Sequence, residues 1–244
     1  MGQTLQNVTG TDYLPVTWST IPSSQSAPNP MTFSTATLPS DLAQIIRDRA
    51  SDLAADSSFL PTMAAAFRLG DELEPSESDL ALFHQWLADE FAALPLPVVF
   101  LDREVPLAEA VAVINGPKLP GEVRPMPVSS LGTAPVAGLM TSEQNLMFRA
   151  VHDHMHARLG VDDTWQGELA TTLGHLHTAP PQIWPILCSE VAGQAAVALF
   201  EGEFPEQRLS LAVLGGILVG LEIIDCQLCL RMLVCHESDP ICLW

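Results

Sequence analysis

Between residues 76 and 94 the sequence SESDLALFHQWLADEFAAL places Leu80, Phe83, Leu87 and Phe91 one turn apart, which predicts an amphipathic helix with one apolar face. The same helical period begins at Ser40, in SDLAQIIRDRASDLA, where Ser-Asp reads as a start signal. LPVVFLDREV then predicts a short strand, PLAEAVAVI a helix opened by proline, and GEVRPMPVSS a second extended piece. At Thr141 the pattern sharpens. TSEQ has the spacing of a capping box, and a helix from about Ser142 to Leu159 follows, with Phe148, Val151, Met155 and Leu159 on its apolar arc. A further helix is expected from Thr164 (TWQGELATTLGHLH), and a third, PQIWPILCSEVAGQAAVALF, is apolar almost throughout.

Two ends fall outside this pattern. Residues 1–37 are rich in Ser, Thr and Pro and read as an extended arm. Residues 210–244 read as an apolar, Cys-containing segment. Only its first dozen residues or so are free of charge, which is short for a membrane span and suits a buried or partner-docking helix. The expected organisation is therefore the arm (1–37), a helical region with a short strand (38–120), a helical core (121–209) and the apolar tail (210–244). The expected fold class is α+β, mainly α-helical.

At 244 residues and 48% apolar composition, the chain is long enough to bury a substantial core. Its formal charge of −19 reflects a shortage of bases: ten Lys plus Arg, of which only Lys118 is lysine. Such a surface repels nucleic-acid backbones and anionic lipid, so the expected partners are other proteins, met through the arm and the tail. No basic, then apolar, leader opens the sequence, and a cytoplasmic location is expected. Cys188, Cys226, Cys229, Cys235 and Cys242 crowd into the last quarter, which suits free thiols better than a disulfide framework or a second zinc site.

Chemistry concentrates in FRAVHDHMHARLG, since five of the seven histidines lie between His152 and His177. On a helix His152 and His156 share a face, whereas His154 points the opposite way, beside Arg158. Glu168 and His175 share a face of the next helix. Glu190 and Gln194, spaced i, i+4, fall in the middle of the apolar face of the third, where an unpaired carboxylate is too costly to leave alone.

Two histidines plus a glutamate from another helix form a normal donor set for zinc, and also suit iron or manganese. The expected metal ligands are His152, His156 and Glu190, with His175 as a fourth ligand or just behind. Glu168 or Asp153 is then the general base. The two-histidine helix is similar to that of zinc peptidases, with Asp153 where those carry a glutamate base. The metal-free alternative pairs Glu190 with Arg149 in a buried histidine–carboxylate–arginine network.

SEQNLMFRAVHDHMH, then GELATTLGHLH, then SEVAGQAA, resemble a group of uncharacterised bacteriophage, prophage and actinobacterial proteins over residues 94–209. The shared succession is an Arg-Ala-Val-His-Asp helix, a Gly-Glu, a His, and a Glu shortly before Gly-Gln. The resemblance implies His152, Asp153, His156, Glu168, His175, Glu190 and Gln194 as a common polar set. It departs at Met155, where those relatives often have glycine before the second histidine. It implies a phage-like context, host cytoplasm or virion, and no assigned reaction. A metal-dependent hydrolase and a non-catalytic accessory phage protein both fit. A carboxylate-bridged iron protein fits less well, because paired Glu-x-x-His motifs are absent.

Overall fold

The computed structural model describes residues 38–117, 124–136 and 138–224. In chain order it comprises α1 (Ser40–Ala55), α2 (Phe59–Leu69), α3 (Glu77–Ala92), β1 (Val98–Leu101), α4 (Leu107–Asn115), β2 (Met126–Ser129), α5 (Ser142–Leu159) and α6 (Trp165–Thr178). A 3-10 turn (Pro181–Ile183), α7 (Trp184–Cys188), a π turn (Ser189–Gly193), α8 (Gln194–Glu201) and α9 (Leu211–Ile224) follow. The fold is mainly helical with two short parallel strands, the expected α+β class. Val98 pairs with Met126 and Leu101 with Ser129, and α4 makes the crossover that parallel strands require. The N-terminal arm, Lys118 and the thiols from Cys226 onward lie outside the described residues.

One apolar core runs from Leu38 to Leu221 and takes side chains from every helix but α4. A small satellite of Ala110, Met126, Val128 and Ala150 seats the βαβ unit on α5. Helix α9 joins the main core through Val213, Ile217 and Leu221, at i, i+4 and i+8, as expected of a buried helix after Leu209. By length and composition alone, the helical run Pro181–Glu201 is apolar enough to cross a membrane, and most of it is buried in this core.

Local chemistry explains the boundaries of the helices around the core. Thr141 Oγ1 accepts the Gln144 N–H (3.1 Å) and Gln144 Oε1 accepts the Thr141 N–H (2.9 Å), which closes the expected capping box at the start of α5. Thr164 caps α6 by accepting the Gly167 N–H, and Ser76 caps α3 by accepting the Asp79 N–H. The start signal read at Ser40 is displaced: Pro39 holds the cap position, with no side-chain cap, and Ser40 is the first helical residue. Helix α2 was not evident in the sequence because Pro61 interrupts its pattern. It lies in the first turn, where its missing N–H has no helical partner to lose.

Two glycines set helix positions that matter for the polar cluster described next. A Cβ on Gly174 of α6 would stand 2.8 Å from Met155 Sδ and 3.1 Å from Leu159 Cδ1, so α5 and α6 approach closely only because that atom is missing. In the π turn, a Cβ on Gly193 would stand 2.5 Å from the Phe67 ring. There the hydroxyl of Ser189 donates to the Pro185 carbonyl (2.8 Å) and accepts the Ser210 N–H (2.9 Å), which ties the widened turn to the start of α9. A π turn inserts a residue into the helical register, so side chains within it leave the face that a regular wheel assigns them.

Candidate metal centre

His152 and His156 stand one turn apart on α5, with their Nε2 atoms 3.1 Å apart and their rings nearly perpendicular. Across the α5–α6 contact, Glu168 straddles the pair: Oε2 is 3.5 Å from His152 Nε2 and Oε1 is 3.5 Å from His156 Nε2. One donor atom from each residue lies within 4.8 Å of the others, so this group could hold a metal ion. The two 3.5 Å approaches reach different oxygens of the Glu168 carboxylate, which brackets the histidine pair within range of an ion whose bonds are about 2.0–2.2 Å. His156 is 1% exposed at its side chain, Glu168 14% and His152 21%, so the group is sunk in the protein yet reachable from one side.

That side is a half-open cavity of about 1070 Å³. His152, Asp153 and Glu168 line it near the group, and Glu190, Gln194 and Gln207 line it elsewhere. Burial lowers His152 to about 3, against the opposing charge of Glu168, which favours its neutral imidazole. Burial works to raise Glu168, but His152 and His156 outweigh it and hold the carboxyl below its ordinary value. Neutral imidazole beside ionised carboxylate is the protonation state that a divalent cation requires. One feature runs the other way: the Nδ1 atoms of both histidines are buried with no hydrogen-bond partner, where metal-binding histidines usually donate to a carbonyl or carboxylate.

The remaining candidates fall elsewhere. Glu190, expected from the sequence as a ligand, is not part of the converging group. Its carboxyl lies in the π turn and accepts from Gln194 Nε2 (3.0 Å) and from Gln207 Nε2. Glu168 occupies the place expected for it, as a member of the donor group and not a base beside it. His175 is also outside the group. It is fully buried with both ring nitrogens unpartnered, stacked on His152 (5.9 Å between centroids) and Phe148, with the Trp86 ring edge-on. Burial lowers it to about 3.

Asp153 lines the cavity, and burial raises it to about 7 against the pull of His156 and Arg149. His154 is outside the group, as the wheel requires, and burial together with the Arg158 charge lowers it to about 4. The alternative Arg149–Glu190 pairing does not form, because Arg149 Nη1 donates to the carbonyls of Leu131 (2.8 Å) and Ser129 (3.3 Å). Gln207, in the loop before α9, was not singled out in the sequence, where a lone amide in a coil carries no signal.

Searches against family profiles, curated proteins and solved structures found no match.

Proposed function

We propose that His152, His156 and Glu168 hold one divalent ion, zinc by their donor chemistry, and that the protein is a metal-dependent hydrolase acting on a substrate held in the cavity. The observation that carries this reading is the convergence of three donors, one atom of each within 4.8 Å of the others, beside an open cavity that His152 and Glu168 line. Three protein ligands with access for a fourth are the pattern of catalytic zinc, whereas structural zinc is closed by four. When bound, such an ion polarises a carbonyl or phosphoryl oxygen and acidifies a water.

The chain's own residues supply the rest. Glu168 brings one negative charge to the two imidazoles, a combination that suits a divalent cation. Asp153, the neighbour of His152 in sequence and a lining residue of the same cavity, is the group we assign to accept a proton from a nucleophilic water. Glu168 is committed to the donor group, so the base is Asp153. The resemblance read in residues 94–209 is the ground for proposing a phage-encoded role.

A second reading, in which the group is structural, is favoured by the unpartnered Nδ1 atoms. It makes His152 and His156 a hydrogen-bonded pair capped by Glu168. Metal analysis of untagged protein after dialysis against micromolar zinc, with turnover measured on ester, amide and phosphodiester panels, separates the two. The hydrolase reading expects nearly one zinc per chain, loss of turnover on chelation and recovery with zinc. Protein that retains no metal overturns it.

A further inference from the structure

The cavity holds a second polar feature that the metal reading does not use. Among the described residues, the hydrogen-bond partners of the largely buried Glu190 carboxyl are two carboxamides, Gln194 and Gln207. Gln194 Nε2 also donates to Gln207 Oε1 (3.0 Å), so the two amides brace each other around the carboxyl. Arg149, the arginine among the cavity's lining residues, is turned to backbone carbonyls. A buried carboxylate without a cation is unstable as an anion: it takes up a proton or waits for a positive ligand. Burial accordingly raises Glu190 to about 8, with the two amides opposing.

We propose that Glu190, braced by Gln194 and Gln207, is a subsite for an ammonium group, so that the cavity takes molecules with a free amine next to an apolar side chain. A carboxylate has about four lone-pair directions, and the two amides use two of them, which leaves acceptors for an ammonium's N–H groups. Such charge-assisted bonds are the strong ones. Among the described lining residues Glu104, Asp153, Asp163, Glu168 and Glu190 stand against the single guanidinium, and the chain carries a net −19. An anionic ligand would meet repulsion there, and a cation attraction. Val136, Val191, Leu199 and Phe204 supply an apolar wall for the neighbouring side chain.

As a substrate preference the inference rests on the hydrolase reading: it narrows the panel to amides and esters bearing a free amine and excludes phosphodiesters. As a binding site it does not depend on that reading. The probe is therefore a molecule with no scissile bond. Leucinol and its desamino analogue 4-methylpentan-1-ol differ only in the amine, and NMR titration measures both against the full chain, with and without zinc. Leucinol is expected to bind about tenfold more tightly, the worth of one charge-assisted contact. Glu190→Gln should abolish that difference while zinc content and melting temperature hold.

Gln207 is exposed in a loop, so Gln207→Ala keeps the fold and should reduce the difference in the same direction, which covers the case of an unstable Glu190→Gln. Equal binding of the two alcohols, or a preference that survives Glu190→Gln, overturns the subsite. A preference that persists in protein unable to hold zinc leaves the subsite standing and removes the hydrolase reading alone.

Discussion

Helix α5 carries two polar clusters on opposite sides, and both put a carboxylate into the protein interior. On one side Glu90 of α3 is 6% exposed, and burial raises its carboxyl above the ordinary value against the charge of Arg158 and a hydrogen bond from Thr178. On the other side Glu168 meets His152 and His156, and Glu190 meets two glutamines, with a cavity between the helices and solvent. The first cluster contains its own cation. The second contains none apart from Arg149, which is engaged with backbone carbonyls. The ammonium subsite proposed above would bring to the cavity side the cation that Arg158 provides on the other.

The largest expected effect belongs to the self-contained cluster. Arg158→Met removes the charge that opposes the burial of Glu90, and losing one partner of a buried pair costs about 3 kcal/mol, the ceiling for this half-buried arginine. Adding Glu90→Gln to the same chain should recover more than half of that, because the stranded charge is then gone. Urea unfolding of the two single variants and the double variant measures the coupling. If Arg158→Met is nearly neutral, the two clusters are alike and the contrast fails.

Next comes the metal. Zinc at a free concentration one hundred times its dissociation constant should stabilise the unsubstituted chain by about 2.7 kcal/mol, since it binds the folded state alone. His156→Gln and Glu168→Gln should erase that gain, whereas His154→Gln, on the Arg158 side, should retain it. Thermal melts with and without zinc read all four proteins. A zinc response that His154→Gln loses as completely as His156→Gln would show that the response does not come from the converging group.

How much of this was legible in the sequence depends on whether a feature is local. Thr141 and Gln144 fix the start of α5, and the four-residue spacing of His152 and His156 fixes their common face, because both follow from one helix. Glu168 and His175 share a face of α6, yet only Glu168 reaches the histidines. That choice is set by the sliding of α6 along α5 at Gly174 against Met155, which no single-helix pattern encodes. Glu190 was assigned from a regular wheel, and the π turn from Ser189 to Gly193 broke the regularity at that residue. Its partner Gln207 comes from a loop whose path is determined by the packing of Ser189 against Ser210. Long-range packing decided every site residue that the sequence placed elsewhere.

The smallest effect is a slope with pH, and it tests directly whether the cavity side lacks a cation. Burial holds Glu190 at about 8, while an unfolded-chain glutamate titrates near 4.3. Between those values the folded chain binds a proton that the unfolded chain has released, so this group's contribution is full below about 4.3 and is lost as pH rises toward 8. His152, His175 and His154 act in the opposite sense: held at about 3, 3 and 4 when folded and near 6.5 when unfolded, they add stability as pH rises, most of it below about 6.5. Their remaining share between about pH 6.5 and 7.5 is common to the unsubstituted chain and Glu190→Gln, so the difference between the two proteins in that window isolates Glu190. Asp153, at about 7, slopes the same way as Glu190, and comparison with Glu190→Gln cancels its share. Over that unit of pH the unsubstituted chain should lose about 1 kcal/mol more than Glu190→Gln, as measured by urea midpoints at the two values. Saturating leucinol should reduce the difference, because the ammonium replaces the proton. Equal slopes in the two proteins would mean that Glu190 already has its counter-charge within the fold, and the cavity side would then be no different from the side of Arg158.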